Sequence, residues 1–368
     1  MSLSVGIVGL PNVGKSTLFN ALSSKQAEAA NYPFCTIDPN VGVVPVPDPR
    51  FEALVKLYEP DSRVAATVDF VDIAGLVKGA SKGEGRGNAF LSNIRECHAI
   101  AHVVRCFEDP NVVHVDGKVD PASDIETINT ELILRDLDTV EKRLDRARKS
   151  AKGGDAEAKA TVSLCERLVA AFNEGKRARQ LGTPEDEREA AILDDMQLLT
   201  AKPMFYVANV KEEQLSAAAT DPLVAKVRTI AAAEGTTVDV ICAAIEAEIM
   251  QLSAAERPDF LASVGLEEPS LNQVIRTGYE VLELITFFTA GKKEVRAWTI
   301  QRGDKAPRAA GKIHTDFERG FIRAEVIWWE DLVQLGSEAA CRAQGKLATE
   351  GKEYVVRDGD VIHFRFNV

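Results

Sequence analysis

Apolar and polar positions change period three times along the chain. Up to about residue 123, short apolar runs alternate with polar stretches. Val5, Ile7 and Val8 form a run that closes on Gly9, and Leu18-Phe19-Asn20-Ala21-Leu22 opens a helix. Prolines at both ends keep Asn31–Asn40 a loop. A strand pair is predicted over Val41–Val46 and Val64–Asp72, and Ile100–Phe107 reads as a buried strand. From Asp124 the period is helical. Ile133, Leu137, Val140 and Leu144 step by four, three and four, Gly153-Gly154 breaks the stripe, and Val162, Cys165, Leu168, Val169 and Phe172 form a second one. Two such stripes in sequence predict an antiparallel coiled-coil hairpin. Strands return at Met204–Asn209 and Val238–Ala243, with a helix over Glu246–Leu252. Beyond Pro269 a third regime begins, with strands at Val295–Ile300, Phe321–Trp328 and Val361–Phe366 and turns such as Arg357-Asp358-Gly359-Asp360 between them. The prediction is an α/β fold. A doubly wound, mostly parallel sheet is formed by 1–123 and 201–280, a helical insertion occupies 124–200, and a small mixed domain follows at 281–368.

Composition narrows the function classes. A chain of 368 residues holds roughly two or three domains. The net charge of −12 gives no global pull toward nucleic acid or membrane, so any nucleic-acid contact must be local. The six cysteines (Cys35, Cys97, Cys106, Cys165, Cys242, Cys341) are scattered without a C-x-x-C pair and read as buried thiols of a reducing, cytoplasmic protein. The first strand starts too close to Met1 for a signal peptide, and no apolar run is long enough for a membrane span.

The chemistry concentrates where strands end. Gly9-Leu10-Pro11-Asn12-Val13-Gly14-Lys15-Ser16-Thr17 is the G-x-x-x-x-G-K-[ST] phosphate loop, set between a strand and a helix as the motif requires. Its backbone N–H groups, from Asn12 and Val13 through Gly14 to Thr17, wrap a polyphosphate at the helix's positive end. Lys15 places an ammonium on the outer phosphates, and the Ser16 hydroxyl is a magnesium ligand. Asp72-Ile73-Ala74-Gly75, at the end of a strand, is the magnesium and γ-phosphate sensor that follows such a loop. Gly75, Gly79, Gly83, Gly85 and Gly87 then read as a switch segment. His98 and His102 are expected to be satisfied structural histidines. His114 sits in a loop past a strand's C-terminal end, where open α/β sheets bind ligands.

Two basic stretches are candidate RNA contacts or, equally, solvated surface. One is the hairpin tip with Lys142, Arg143, Arg146, Arg148, Lys149 and Lys152. The other is residues 292–323, where nine Lys/Arg (Lys292, Lys293, Arg296, Arg302, Lys305, Arg308, Lys312, Arg319, Arg323) face four acids. No base-reading motif is visible, so no DNA sequence readout is expected.

With these pieces the chain resembles the YchF family, the Obg-related P-loop ATPases of the translation-factor class. The resemblance covers nearly the whole chain. Its marks are the phosphate loop, Tyr32-Pro33-Phe34-Cys35-Thr36-Ile37-Asp38-Pro39-Asn40 and Asp72-Ile73-Ala74-Gly75-Leu76-Val77-Lys78-Gly79-Ala80. Phe287-Phe288-Thr289, Glu294-Val295-Arg296-Ala297-Trp298, Ile313-His314-Thr315-Asp316-Phe317 and Phe366-Asn367-Val368 complete them. The resemblance implies a G domain, an inserted coiled coil, a C-terminal TGS (ubiquitin-like β-grasp) module and association with the ribosome. It implies a base-contacting loop at Cys242-Ala243, where the family usually has Ser-Ala. Arg86, Ala89 and Ala348 are further departures, replacing a usual Leu, Lys and Arg.

Residue-level expectations follow for the base, the water and the cations. GTPases read guanine with Asn-Lys-x-Asp; here Asn209 is followed by Val210 and Glu212, so guanine's donors would be poorly met, at about 1–3 kcal/mol per group. Adenine needs an acceptor for its amino group, which a backbone carbonyl near Val210 can supply, and ATP is expected over GTP. The residue after Asp-x-x-Gly, a water-orienting Gln in Ras-like proteins, is Leu76, so intrinsic hydrolysis is expected to be slow. His114 is the candidate to orient the water, and the family histidine at this place is regarded as catalytic. Magnesium is expected on Ser16 and Thr36 with Asp72 behind a metal-bound water. Asn12 matches the Asn with which potassium-dependent relatives hold K⁺. A GTPase of the same fold, or an RNA adaptor using nucleotide structurally, is the alternative.

Overall fold

Strands β1 (Ser4–Val8), β2 (Val41–Pro45), β4 (Thr67–Asp72), β5 (Ala99–Arg105), β6 (Met204–Asn209) and β7 (Val238–Ile241) make one sheet in the order β2-β4-β1-β5-β6-β7. The computed structural model describes residues 3–28, 40–73, 93–110 and 117–367. Every residue of β5 and β6 is buried, as strands covered on both faces must be, which is why they read as continuous apolar runs. β1 runs parallel to β4 and β5, β5 to β6, and β6 to β7. The register pairs Ile7 with Asp72, Arg105 with Asn209, and Asn209 with Ile241. The strands' C-terminal ends therefore share one edge, and α1 (Lys15–Glu28) leaves from it.

The chain divides into two compact units. One takes in Asp69–Val274 with the N-terminal strand and the start of α1; the other takes in Ile275–Val368 with Val43–Val68. The first unit contains the helical insertion. α3 (Pro121–Ala151) and α4 (Ala156–Asn173) are consecutive helices that share a core, and α5 (Glu187–Met196) adds a third helix. Ile133, Val140, Leu144, Leu164, Cys165, Leu168 and Phe172 pack with Ile192 and Met196 of α5, so the insertion has a core of its own. Its base is held by polar contacts. Asp136 of α3 is fully buried and accepts from the Leu199 and Thr200 N–H groups (2.9 and 2.7 Å) and from the Thr200 hydroxyl (2.6 Å). Glu234, at the end of α7 (Pro222–Glu234), takes Arg179 at 2.8 Å, Arg177, and the Tyr206 hydroxyl at 3.1 Å. Short helices α6 (Glu212–Leu215), α8 (Ala243–Ile249) and α9 (Arg257–Ser263) complete the unit.

The second unit holds a mixed sheet in the order β11-β10-β12-β8-β9-β3. Its elements are α2 (Pro49–Tyr58), β3 (Ser62–Val64), β8 (Leu284–Ala290), β9 (Glu294–Gln301), α11 (Ala306–Ile313), α12 (Thr315–Arg319), β10 (Phe321–Trp328), α13 (Trp329–Leu335), α14 (Glu338–Ala343), β11 (Leu347–Glu350) and β12 (Asp360–Phe366); α10 (Ser270–Val281) leads into it. Small residues Ala306, Ala309 and Ala310 let α11 pack close on Ile285, Phe287, Ile300, Val326 and Ile362.

The predicted second strand of the pair splits. Thr67–Asp72 joins the parallel sheet, whereas Ser62–Val64 pairs with Glu294–Arg296 in the second sheet. Between β2 and β3 stands α2, capped by Asp48, whose carboxylate accepts the Arg50 N–H at 2.9 Å, with Pro49 in its first turn. Among the described residues no helix is long and apolar enough to cross a membrane.

Candidate functional site

At the common strand edge the phosphate loop is fixed by Asn209. This side chain is 4% exposed; its Nδ2 donates to Val13 O at 2.9 Å and its Oδ1 accepts the Ala243 N–H at 3.0 Å. One amide thus ties the loop before α1 to the loop before α8. Gly14 has to be glycine here. Its φ is +100°, and a Cβ would run into the Asn209 amide nitrogen. Asn12, exposed, takes the left-handed region at φ 61°.

Lys15 is buried, with its Nζ donating to Leu10 O at 2.8 Å. Burial lowers the ammonium's pKa, and the charge of Asp72 counters only part of that. Asp72 mirrors it: burial raises the carboxyl, and Lys15 offsets part of the rise. One Asp72 oxygen, Oδ1, is shut from solvent and has no hydrogen-bond partner among the described residues. Ser16, at the first turn of α1, is exposed, and Thr17 beside it is half-buried. An accessible hydroxyl and an unmet carboxylate oxygen are the oxygen-only donor set of a magnesium ion that keeps waters and phosphate oxygens, so these residues fit that ion. Thr36, His114 and the glycine-rich segment with Arg86 and Ala89 lie outside the described residues.

On the base side, Val210 is buried with its N–H on Ile241 O at 2.8 Å. Glu212 is exposed in the first turn of α6. Cys242 is buried just ahead of α8, and burial pushes its thiol up, which keeps it protonated and inert at neutral pH.

Three neighbours not foreseen from the sequence organise the segment after β5. Arg105 is 1% exposed; its Nε donates to Phe107 O at 3.0 Å, and its guanidinium lies 4.7 Å from the Phe107 ring centre. Gln214 Nε2 donates to Cys106 O at 3.1 Å, and Lys211 stands 3.8 Å from Asp109. The available signal was a lone arginine closing the apolar run Ala99–Arg105. His98 is satisfied, its Nδ1 accepting the Ser4 N–H at 3.2 Å. His102 is fully buried, packs against the Tyr206 ring at 5.4 Å, and has no partner for Nδ1 among the described residues.

The basic stretches are partly neutralised. At the insertion, Lys142 pairs with Asp138 at 2.7 Å, Arg143 with Asp195, and Arg148 with Glu166 at 2.9 Å. In 292–323, Arg308 pairs with Asp304 at 3.2 Å, Lys305 with Glu353, and Arg296 lies over the Trp298 ring at 4.0 Å.

Comparison with known proteins places this arrangement. Residues 4–142 match the family model described as "50S ribosome-binding GTPase", and residues 284–367 match the "YchF-GTPase_C" model, described as "Protein of unknown function (DUF933)". The "Ribosome-binding ATPase YchF" of Haemophilus influenzae is 55% identical over 368 residues, all of both chains. The chain belongs to the YchF family. The Bacillus subtilis YchF protein of the same description is 54% identical, again over all of both chains. A solved structure titled as the Schizosaccharomyces pombe YchF GTPase matches with a TM-score of 0.88 at 41% identity, covering 99% of this chain and 98% of that one. YchF relatives are thus described under both ATPase and GTPase, which puts the weight on the groups that meet the base.

Proposed function

We propose that the chain is a ribosome-associated nucleotide hydrolase that binds and hydrolyses ATP in preference to GTP with Mg²⁺. In this reading it works in the cytoplasm as a nucleotide-dependent switch in translation or stress response. The observation that carries the base preference is the exit of β6. Asn209 is engaged by Val13 and Ala243, Val210 is buried and apolar, and Glu212 is exposed in a helical turn. Among the described residues the acid at the usual Asp position is Glu212, one methylene longer and exposed, which suits guanine's two donors poorly, while a backbone carbonyl would serve adenine's amino group.

Lys15 and the loop N–H groups hold the phosphates. A buried ammonium whose charged form is disfavoured gains most from polyphosphate oxygens. Ser16, with Thr36, would ligate Mg²⁺, and Asp72 would hold a metal-bound water, meeting its open Oδ1. When bound, the ion supplies charge neutralisation across the phosphates. His114 is the group assigned to orient the attacking water, since Leu76 cannot. Asn12 is the candidate for K⁺ beside the phosphates. Cys242 and Ala243 border the base, and the C-terminal unit is read as a TGS-like β-grasp module. Ribosomal RNA is the expected contact of Arg146, Lys149 and Lys152 at the insertion tip, which pair with no acid among the described residues.

Calorimetric titration with MgATP and MgGTP, followed by multiple-turnover phosphate release with and without ribosomes, tests the reading. Tighter GTP binding overturns the base assignment. Release that stops at one equivalent favours the adaptor alternative, which Leu76 supports.

A further inference from the structure

Three arginines from three elements of the C-terminal unit meet over one carboxylate. Glu325, in the middle of β10, has a side chain only 9% exposed. Arg365 of β12 donates to its Oε2 at 3.1 Å, Arg342 of α14 stands 3.7 Å from the same oxygen, and Arg323 stands 3.6 Å from Oε1. The register explains the meeting. Arg323 lies opposite Arg365 and Glu325 opposite His363, so these four share one face of the sheet, while Ala324, Val326, Ile362 and Phe364 turn into the core. The hydrogen bond from Arg365, then the three positive charges, hold the Glu325 carboxyl below its usual range, so it stays ionised.

One carboxylate cannot neutralise three guanidiniums, and the cluster keeps two positive charges. The arginines are 52, 63 and 49% exposed, and each guanidinium carries five N–H donors. Nearby cations behave differently: Lys346 is paired with Asp331 at 3.0 Å and Arg357 with Asp360 at 3.3 Å. Glu325 therefore acts as a template that gathers guanidinium forks and presents them outward, an arrangement suited to bidentate contact with phosphate oxygens. A groove of about 600 Å³ runs from Glu325 and His363 past Phe366 to Lys292, Lys293 and Trp298. Phe366, on the strand face of Phe364 and stacked on Phe317 at 3.7 Å, is 38% exposed and lines that groove with Lys292, Lys293 and Trp298. Alternating positive charge and aromatic rings is how proteins hold single-stranded nucleic acid without reading sequence.

We propose that Arg323, Arg342 and Arg365, gathered on Glu325, form a phosphate-binding site through which the C-terminal unit takes single-stranded RNA. The choice of RNA among phosphate polymers rests on the ribosome-associated reading above. The site differs from the contiguous stretch 292–323: two of its three arginines lie outside that stretch, and tertiary structure alone brings them together.

Fluorescence anisotropy of full-length protein with a labelled oligouridylate, over roughly 50 to 200 mM salt, tests it. The Arg342→Ala/Arg365→Ala variant should bind at least about ten-fold more weakly at the low-salt end. Its log–log salt slope should be shallower by about 1.4, two phosphates at about 0.7 each. Arg342→Lys/Arg365→Lys should keep most of the slope while losing part of the affinity, because charge remains and the fork does not. If the double alanine variant fails to fold, the single Arg342→Ala, which removes the longest of the three contacts, should lose about half of that slope change. Unchanged affinity and slope in a variant that melts like the wild type overturns the proposal, as does absence of wild-type binding. Loss of ribosome co-sedimentation with unchanged oligouridylate binding also overturns it, in favour of an acidic protein partner. ATP turnover measured on the same samples separates this outcome from the nucleotide reading, because none of the three arginines belongs to the nucleotide site.

Discussion

Replacing Asn209 by Ala tests whether this residue holds the nucleotide site together or reads the base. The truncation leaves Val13 O and the Ala243 N–H, both in residues no more than 3% exposed, without the bonds of 2.9 and 3.0 Å that now satisfy them. Each unmet buried group costs about 1–3 kcal/mol. Water reaching one of them from the vacated volume lowers the sum, and about 3 kcal/mol is the expected total. If the phosphate loop relaxes in the free variant, nucleotide binding must rebuild it, and about 3 kcal/mol corresponds to roughly a hundred-fold weaker affinity. Because the defect is in the loop, ATP and GTP should lose the same factor. Asn209→Asp sharpens the test. One carboxylate oxygen can still accept from Ala243, but the other faces the Val13 carbonyl. The variant should therefore be at least as weak near neutral pH and recover as pH falls and the acid gains a proton to donate. Titration calorimetry with both nucleotides on each variant reads these outcomes. Unchanged affinity refutes the strut, and an ATP-to-GTP ratio altered by more than about ten-fold makes Asn209 a base contact instead.

Local spacing made the nucleotide loop legible, and distant pairing hid the rest. Gly9–Thr17 carries its chemistry within nine contiguous residues, and Asp72 announces itself as the end of an apolar strand. Whether Ser62–Val64 belongs with Thr67–Asp72 is decided by Glu294–Arg296, more than two hundred residues away, and no local pattern reports that. Helix α2 is legible in principle, since Asp48-Pro49 is a cap followed by a first-turn proline, and it falls between the two predicted strands Val41–Val46 and Val64–Asp72. Likewise Leu284–Ala290 has the β-branched and aromatic content of a strand and was noted only for its motif. Charge counting could not tell which cations of the basic stretches are paired, because it sees cations and not their partners. Lys305 meets Glu353 from forty-eight positions away, and the Glu325 cluster draws one arginine from each of three elements. The expectation for His102 is met in its burial and not in full satisfaction: periodicity predicts that the ring is buried but not whether Nδ1 finds a partner, and among the described residues it has none.

Three further outcomes are expected. His114→Ala should slow multiple-turnover ATP hydrolysis by at least about a hundred-fold and leave ATP affinity within about two-fold; equal turnover removes His114 from the chemistry. Asp72→Asn removes a buried charge that burial disfavours, so the nucleotide-free protein should melt higher, while Mg²⁺ affinity in the ATP complex falls about ten- to hundred-fold; lower melting without nucleotide contradicts the stated burial cost. The last concerns acid. Burial first, and then Arg179 and Lys15, push the His102 imidazole down to about 3, so the folded protein keeps it neutral while the unfolded chain protonates it near 6.5. A depressed pKa gives stability that is complete above the unfolded value and is lost as pH falls from about 6.5 toward about 3. At pH 5 the loss from this one group is about 2 kcal/mol, since each pH unit in that window is worth about 1.4 kcal/mol. Geometry points the same way, because a protonated ring needs an acceptor at both nitrogens and Nδ1 finds none among the described residues. Denaturant melts of wild type and His102→Asn at pH 7 and pH 5 isolate the term, every other titrating group being common to both proteins. The variant should lose about 2 kcal/mol less than the wild type between the two pH values, and a difference under about 0.5 kcal/mol would show that the folded protein accommodates the charged ring.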